Sequence, residues 1–86
     1  MRVLIPSPLF SYTGGRAEVD AEGKTIDEVL QDLDARFPGI RFRVVDEQGR
    51  VRPHIRFWVS ARPAPDVSSP VQASDEVMIV AALSGG

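Results

Sequence analysis

Apolar and polar residues alternate in two stretches of the chain, and a period of two predicts β-strands with one buried face. Residues 16–21 carry alanine or valine at the odd positions and charged side chains at the even positions. Residues 55–60 follow the same rule, with Ile55, Phe57 and Val59 on one face and Arg56, Trp58 and Ser60 on the other. An aliphatic run at residues 2–5 predicts another strand, which two following prolines end. We expect this first strand to form a hairpin with residues 16–21 through a turn at residues 12–15.

The spacing becomes helical after Thr25. One apolar stripe follows the helical period: Ile26, Val29, Leu30, Leu33 and Phe37. Thr25 and Glu28 fit a capping box, in which a hydroxyl and a carboxylate accept hydrogen bonds from first-turn amides. Pro38 and Gly39 then end the pattern. The sequence therefore predicts one amphipathic helix.

The remaining segments differ in how clearly their apolar pattern indicates secondary structure. Residues 40–54 have no clear period, and either a short helix or an irregular cover for the core fits them, with a turn at residues 46–49. Residues 61–70 are rich in proline, serine and aspartate and predict a loop with at most a short edge strand. Residues 76–83 are apolar on both faces, which is typical of a central strand.

These elements predict an α+β fold of the β-grasp (ubiquitin-like) type. A single amphipathic helix covers one face of one small sheet, so we expect a mixed four- to five-stranded sheet packed on one main helix. We assign residues 1–82 to this domain and residues 83–86 to a flexible C-terminal tail. The predicted inner face of the sheet holds Val3, Ile5, Val19, Phe57, Val59, Val77 and Ile79.

The predicted outer face is also apolar. It places a tryptophan among aliphatic side chains, and the set is Leu4, Trp58, Met78 and Val80. Exposed apolar patches of this kind tend to mark sites where partner proteins dock. The alternative is that the loop at residues 61–73 folds over them.

Composition narrows the possible functions. The chain has 86 residues, 43% hydrophobic and 26% charged, which suits one small globular domain. Cysteine is absent, which excludes disulfides and thiolate chemistry, and no run resembles a signal peptide or a membrane span, so we expect the cytoplasm. The only histidine, His54, has no second histidine or cysteine for a metal site and belongs to no catalytic constellation, so we interpret it as structural. We expect no bound metal or cofactor.

Charge is unevenly distributed along the chain. Residues 18–34 contain seven acids and one lysine, whereas residues 36–62 contain seven arginines and two acids. Two solvated faces of opposite sign explain this pattern, and so does a docking surface that steers a partner by its field. The net charge of −2 argues weakly against nucleic acid as the main partner.

The chain closes with Leu83, Ser84, Gly85 and Gly86. Glycines without side chains make a slim end that suits insertion into a narrow site of another protein, where backbone and terminal carboxylate are recognised. A frayed terminus is the alternative for the tail taken alone.

The sequence resembles the MoaD/ThiS family of sulfur carriers, bacterial β-grasp relatives of ubiquitin. The stretches that carry the resemblance are residues 25–30 with Leu33, residues 37–40, the arginine-rich approach to 55–59, residues 75–80 and Gly85-Gly86. Residues 8–15 look most like the CysO-type branch, whose members supply sulfur for cysteine synthesis. Ser60-Ala61 departs from the Asn-Gly that relatives often show there.

The resemblance implies a carrier and not an enzyme. An ATP-using, E1-like enzyme would adenylate the Gly86 carboxylate, a sulfur donor would convert it to a thiocarboxylate, and an acceptor enzyme would take the sulfur. Leu83, Ser84 and Gly85 would thread into the partner. The acceptor pathway stays open among cysteine, molybdopterin (as the small synthase subunit), thiamin thiazole, thiolated tRNA and a specialised metabolite.

Two rival functions remain open. Arg41-Phe42-Arg43 and Arg56-Phe57-Trp58 interleave basic and aromatic residues as single-strand nucleic-acid platforms do, although Phe57 falls on the predicted core face. A β-grasp protein with a scaffolding or lysine-conjugation role is the second rival.

Overall fold

A computed structural model describes residues 1–82, and the predicted tail at residues 83–86 lies outside the described residues. In chain order the elements are β1 (Arg2–Leu4), a 3₁₀ helix (Ser7–Tyr12), β2 (Glu18–Asp20), α1 (Ile26–Arg36), α2 (Ile40–Val44), β3 (Ile55–Val59), β4 (Arg62–Ala64) and β5 (Glu76–Ala81).

The five strands form one mixed sheet in the order β2-β1-β5-β3-β4. Strands β1 and β5 run parallel in its interior, and each of the other neighbouring pairs is antiparallel. Strand β5 lies at the centre, as its apolar residues on both faces predicted. The observed order agrees with the predicted β-grasp arrangement, including a short edge strand, β4, in the loop after β3.

The hydrophobic core lies between the inner face of the sheet and α1. Every residue predicted for that inner face is buried, and Phe57 is only 2% exposed. From α1 the core receives Ile26, Val29, Leu30 and Leu33, all at or near full burial. Phe37, the last residue of the predicted stripe, caps the helix and is half-buried. Apolar spacing thus identified the surfaces that pack together.

The start of α1 differs from the predicted capping box in one hydrogen bond. The Thr25 hydroxyl accepts from the Glu28 amide at 3.2 Å, as expected. The Glu28 carboxylate accepts from the Lys24 amide at 3.0 Å, and not from Thr25. The segment after β4 pairs with this turn through an isolated bridge between Thr25 and Pro70.

The connection between β1 and β2 also differs from the prediction. The strands are antiparallel neighbours, but the 3₁₀ helix at Ser7–Tyr12 lies between them, so they do not form a tight hairpin. Pro6 stands at the N-cap of this short helix, and Leu9 turns inward and is buried. The second strand is correspondingly shorter than residues 16–21, and Ala17 is exposed.

Of the two interpretations of residues 40–54, the short helix is correct. Helix α2 begins after Gly39, whose positive φ of 96° favours glycine, and it buries Ile40 and Val44. The predicted turn follows, and the Asp46 carboxylate accepts hydrogen bonds from the amides of Gln48 and Arg50, each at 2.9 Å.

Candidate docking surface and the base of the tail

A row of apolar side chains crosses the outer face of the sheet. The register places Leu4 of β1 beside Met78 of β5, Met78 beside Trp58 of β3, and Trp58 beside Pro63 of β4. We call Leu4, Met78, Trp58 and Pro63 the outer row. Trp58 is 38% exposed and Met78 is 39% exposed, which makes them two of the large exposed hydrophobic residues of the described chain. Three of the four residues predicted for a docking patch are therefore adjacent.

Val80, the fourth predicted patch residue, lies two residues further along β5 and is half-buried. Its neighbour across the sheet is Arg56 of β3. The apolar surface therefore meets a positive charge at this border.

The loop after β4 does not cover the outer row. Its backbone bonds instead to the first turn of α1, where the amides of Ile26 and Asp27 donate to Ser69 and Val67 at 3.0 and 2.9 Å. Val71 anchors the same segment from the core side, because it is buried. The loop thus belongs to the helix layer, and the alternative that it folds over Trp58 is wrong.

An ion-pair cluster borders the outer row at the start of β5. The Arg2 guanidinium donates from Nε to Glu76 at 2.8 Å and lies 3.6 Å from the Glu18 carboxylate. The hydrogen bond and charge of Glu76 raise the pKa of Arg2, with a smaller contribution from Glu18. These side chains are largely exposed to solvent, so their ion pairs add little to the free energy of unfolding.

The β3–β4 turn places two non-glycine residues in the left-handed region, with φ of 46° at Ser60 and 69° at Ala61. Ala61 borders a cleft of about 260 Å³ together with Trp58, Glu76 and Met78. The Ser60 hydroxyl donates to Asp75 at 2.8 Å.

Asp75 fixes this turn to the start of β5. Its carboxylate accepts the Gln72 amide at 2.7 Å as well as the Ser60 hydroxyl. These two hydrogen bonds, the Gln72 one first, lower the pKa of Asp75.

The other end of β5 is the base of the tail. Ala81 pairs with Ile55, and the Ala82 amide donates to the His54 carbonyl at 2.8 Å. His54 is exposed, and its backbone carbonyl is the group used here. The predicted tail residues, Leu83, Ser84, Gly85 and Gly86, lie outside the described residues.

The basic and aromatic motifs do not form a continuous stacking platform. Phe57 is buried in the core, which removes the middle ring of residues 56–58. Phe42 is 54% exposed, and the Arg52 guanidinium stacks over its ring at 4.7 Å from the centroid. Arg52 was not part of the predicted motif, since no local pattern connects residues ten positions apart.

Within residues 1–82, no cluster of three or more histidine or acidic side chains is arranged to hold a metal ion. Nor is any helix in that range long and apolar enough to cross a membrane. The arrangement can present surfaces to a partner.

The chain matches the family model described as "ThiS family" over residues 3–86. It is 32% identical to the sulfur carrier protein CysO of Mycobacterium tuberculosis over 98% of this chain and 96% of that protein. The crystal structure of the Amycolatopsis orientalis BexX/CysO complex matches with a TM-score of 0.90 at 31% identity, covering 99% of this chain and 98% of the matched chain. SAMP1 from Haloferax volcanii matches with a TM-score of 0.77 at 26% identity, covering 100% and 98%. These neighbours confirm the β-grasp fold.

Proposed function

The chain belongs to the ThiS family, its relationship to CysO supports a sulfur carrier role, and from this premise we propose that its Gly86 carboxylate carries the sulfur as a thiocarboxylate. Carriers of this kind are not enzymes, because partner proteins supply the catalysis. The family match extends to residue 86, so it includes the proposed carrier residue.

The proposed chemistry has two steps. The Gly86 carboxylate attacks the α-phosphate of ATP and releases pyrophosphate, which leaves a mixed anhydride with AMP. A sulfur nucleophile then adds to the acyl carbon, and the C–O bond to AMP breaks, which leaves the thiocarboxylate. Glycine suits this carbon because it has no Cβ to block the approach of the nucleophile. ATP is used by the activating enzyme, and the carrier itself binds no cofactor.

The observation that carries the proposal is the position of β5. This central strand is paired on both sides, and its last described residue, Ala82, is hydrogen-bonded to His54. A firmly held strand gives the following four residues a fixed origin, and four extended residues reach about 13 Å. The globule can therefore remain outside a partner while the terminal carboxylate reaches a buried site.

We propose that partners dock on Leu4, Trp58, Met78 and Val80 while Leu83, Ser84 and Gly85 occupy the channel leading to the reactive site. The exposure of Trp58 and Met78 supports this assignment. The partners are an E1-like adenylating enzyme and a sulfur-accepting enzyme. The identity to CysO favours cysteine biosynthesis over the molybdopterin, thiamin and tRNA pathways.

The test is conversion of the full chain by a cognate activating enzyme with ATP and a sulfide source. Intact-mass spectrometry should show one oxygen replaced by sulfur, and omission of ATP should prevent the change. Deletion of Gly86 should abolish conversion while circular dichroism shows an unchanged fold. Conversion that persists after this deletion would overturn the assignment of Gly86.

The final location of the sulfur distinguishes a sulfur carrier from a protein that is conjugated to lysine. The thiocarboxylate carrier should transfer sulfur to a small acceptor in the presence of its partner enzyme and return to the original mass. An isopeptide bond from Gly86 to a lysine, with no thiocarboxylate detected, would favour a conjugation role instead.

A further inference from the structure

Three arginines from separate segments line successive clefts beside the end of β5. Arg43 of α2 and His54 border a groove of about 190 Å³ that reaches Ala82. Arg43 also borders a shallow cleft of about 300 Å³ with Arg52, and Arg52 borders a third cleft with Arg56. We call Arg43, Arg52 and Arg56 the basic cluster.

The orientation of two of these guanidinium groups is fixed by uncharged partners. Arg52 stacks over the Phe42 ring at 4.7 Å and donates from Nε to the Phe42 carbonyl at 2.8 Å. Arg56 donates to the carbonyls of Pro53 and Ile55 at 3.0 and 2.8 Å. These contacts hold the side chains in place and leave their positive charges uncompensated.

The carboxylates that pair with arginine lie in other parts of the described chain. Within residues 1–82, the ion pairs of arginine involve positions 2, 36, 41 and 50, and none involves the basic cluster. The three clefts that border the basic cluster contain no aspartate or glutamate among their described lining residues. A chain of net charge −2 thus has a positive surface where β5 ends.

We propose that the basic cluster binds a carboxylate-rich surface of the activating enzyme, at the rim of the site that receives the tail. The inference rests on the proposed function, because it assigns this surface to the partner that acts on Gly86. Guanidinium groups pair with carboxylates through parallel hydrogen bonds, and the fixed positions of Arg52 and Arg56 reduce the side-chain entropy lost on binding. Attraction at this end of the molecule orients the tail toward the partner during encounter.

The test compares the wild type with the double variant R43Q/R56Q and with the control K24Q/R62Q. All four positions are exposed, and both variants change the net charge equally. Lys24 precedes α1, and Arg62 pairs with Val59 near the start of β5, so the control alters charge away from the base of the tail. Arg52 is kept because its stacking on Phe42 helps to position α2.

We expect kcat/KM for thiocarboxylate formation to fall about tenfold in R43Q/R56Q at low salt, within the range of electrostatic steering. The control should change less than about twofold, because its charges lie farther from the proposed contact and the Coulomb energy falls with distance. Raising the salt concentration should reduce the wild-type rate toward that of R43Q/R56Q. Equal rates for both variants, or a difference that is independent of salt, would overturn the inference.

A hexaglutamate peptide serves as a probe that is independent of the enzyme. In an NMR titration of the isotope-labelled full chain, it should shift the amides of residues 42–43, 52 and 54–56, and these shifts should weaken in R43Q/R56Q. A deoxythymidine oligonucleotide is titrated in parallel. Shifts of the same amides at lower oligonucleotide than peptide concentration would overturn the inference in favour of nucleic acid.

The outcomes distinguish the two proposals. Conversion of the wild type without a specific effect of R43Q/R56Q would remove the basic cluster from the mechanism and leave the sulfur carrier function in place. Absence of wild-type conversion would overturn the proposed function together with the inference that rests on it.

Discussion

Two apolar rows of side chains cross the same sheet one residue apart in register, and they differ in their exposure to solvent. The inner row consists of Val19, Val3, Val77 and Val59, which pair in this order across four strands and are all buried. The outer row, one residue further along β1 and β5, presents Trp58 and Met78 to solvent. Both rows are apolar, but only the inner row has α1 packed against it.

Folding stability explains why the inner row is apolar, since removing apolar surface from water is the main favourable term in the free energy of folding. It does not explain the outer row, whose largest side chains gain much less from burial. Isolated exposed hydrophobic residues are common, but a row across several strands is a contiguous patch of the kind that partners cover. The inner row therefore contributes to stability, whereas the exposed side chains of the outer row are available for binding.

The largest expected effect comes from truncating the inner face. Phe57→Ala removes a ring that is 98% buried and leaves a cavity under α1, so we expect a loss of about 3–5 kcal/mol in the free energy of unfolding. Urea denaturation followed by circular dichroism measures this loss. A loss below about 1 kcal/mol would contradict the assignment of Phe57 to the core.

Trp58, the next residue in the chain, should matter more for binding than for stability. Trp58→Ala removes contacts with Met78 and Pro63 on the open face, so we expect a stability loss of about 1 kcal/mol. Binding to the activating enzyme should weaken by at least about 2 kcal/mol, as for a central aromatic anchor, in isothermal titration calorimetry. A mainly unfolded variant, or one with unchanged affinity, would remove the distinction between the two rows.

The turn that borders the outer row offers a smaller test. Ala61 has a φ of 69°, where a Cβ is unfavourable and glycine is not, so Ala61→Gly should stabilise the protein by about 0.5–1 kcal/mol. Ala35→Gly is the matched control, because the same change in the exposed last turn of α1 should destabilise by about 0.5 kcal/mol, at the low end of the cost of glycine in a helix. Thermal unfolding should show shifts of opposite sign; destabilisation by both would show that the turn is not strained.

Local patterns predicted most of the fold. Helical spacing from Ile26 to Leu33 located α1, and period-two alternation located β3 with the correct buried face. The apolar run of residues 76–83 identified the central strand, although β5 ends at Ala81 in the described chain. These features are predictable because the side chains that bury an element recur within that same element.

The sequence alone left two local structures unassigned. The 3₁₀ helix at Ser7–Tyr12 contains two aromatic residues and a proline without a recognisable period, and its position depends on burying Leu9. The course of the loop after β4 was equally open, because it is held by backbone hydrogen bonds to α1, which no side-chain pattern reports.

By itself, the sequence determined a β-grasp platform with one helix, an apolar outer face and a Gly-Gly terminus that resembles those of sulfur carriers. Only the tertiary structure decided that Leu4, Met78 and Trp58 are direct neighbours, since strand register depends on pairing between distant segments. It also brought Arg43 and Arg56, thirteen positions apart, to one end of β5. The sequence shows which residues are charged, but the electrostatic field at a surface depends on which of those residues the fold brings together.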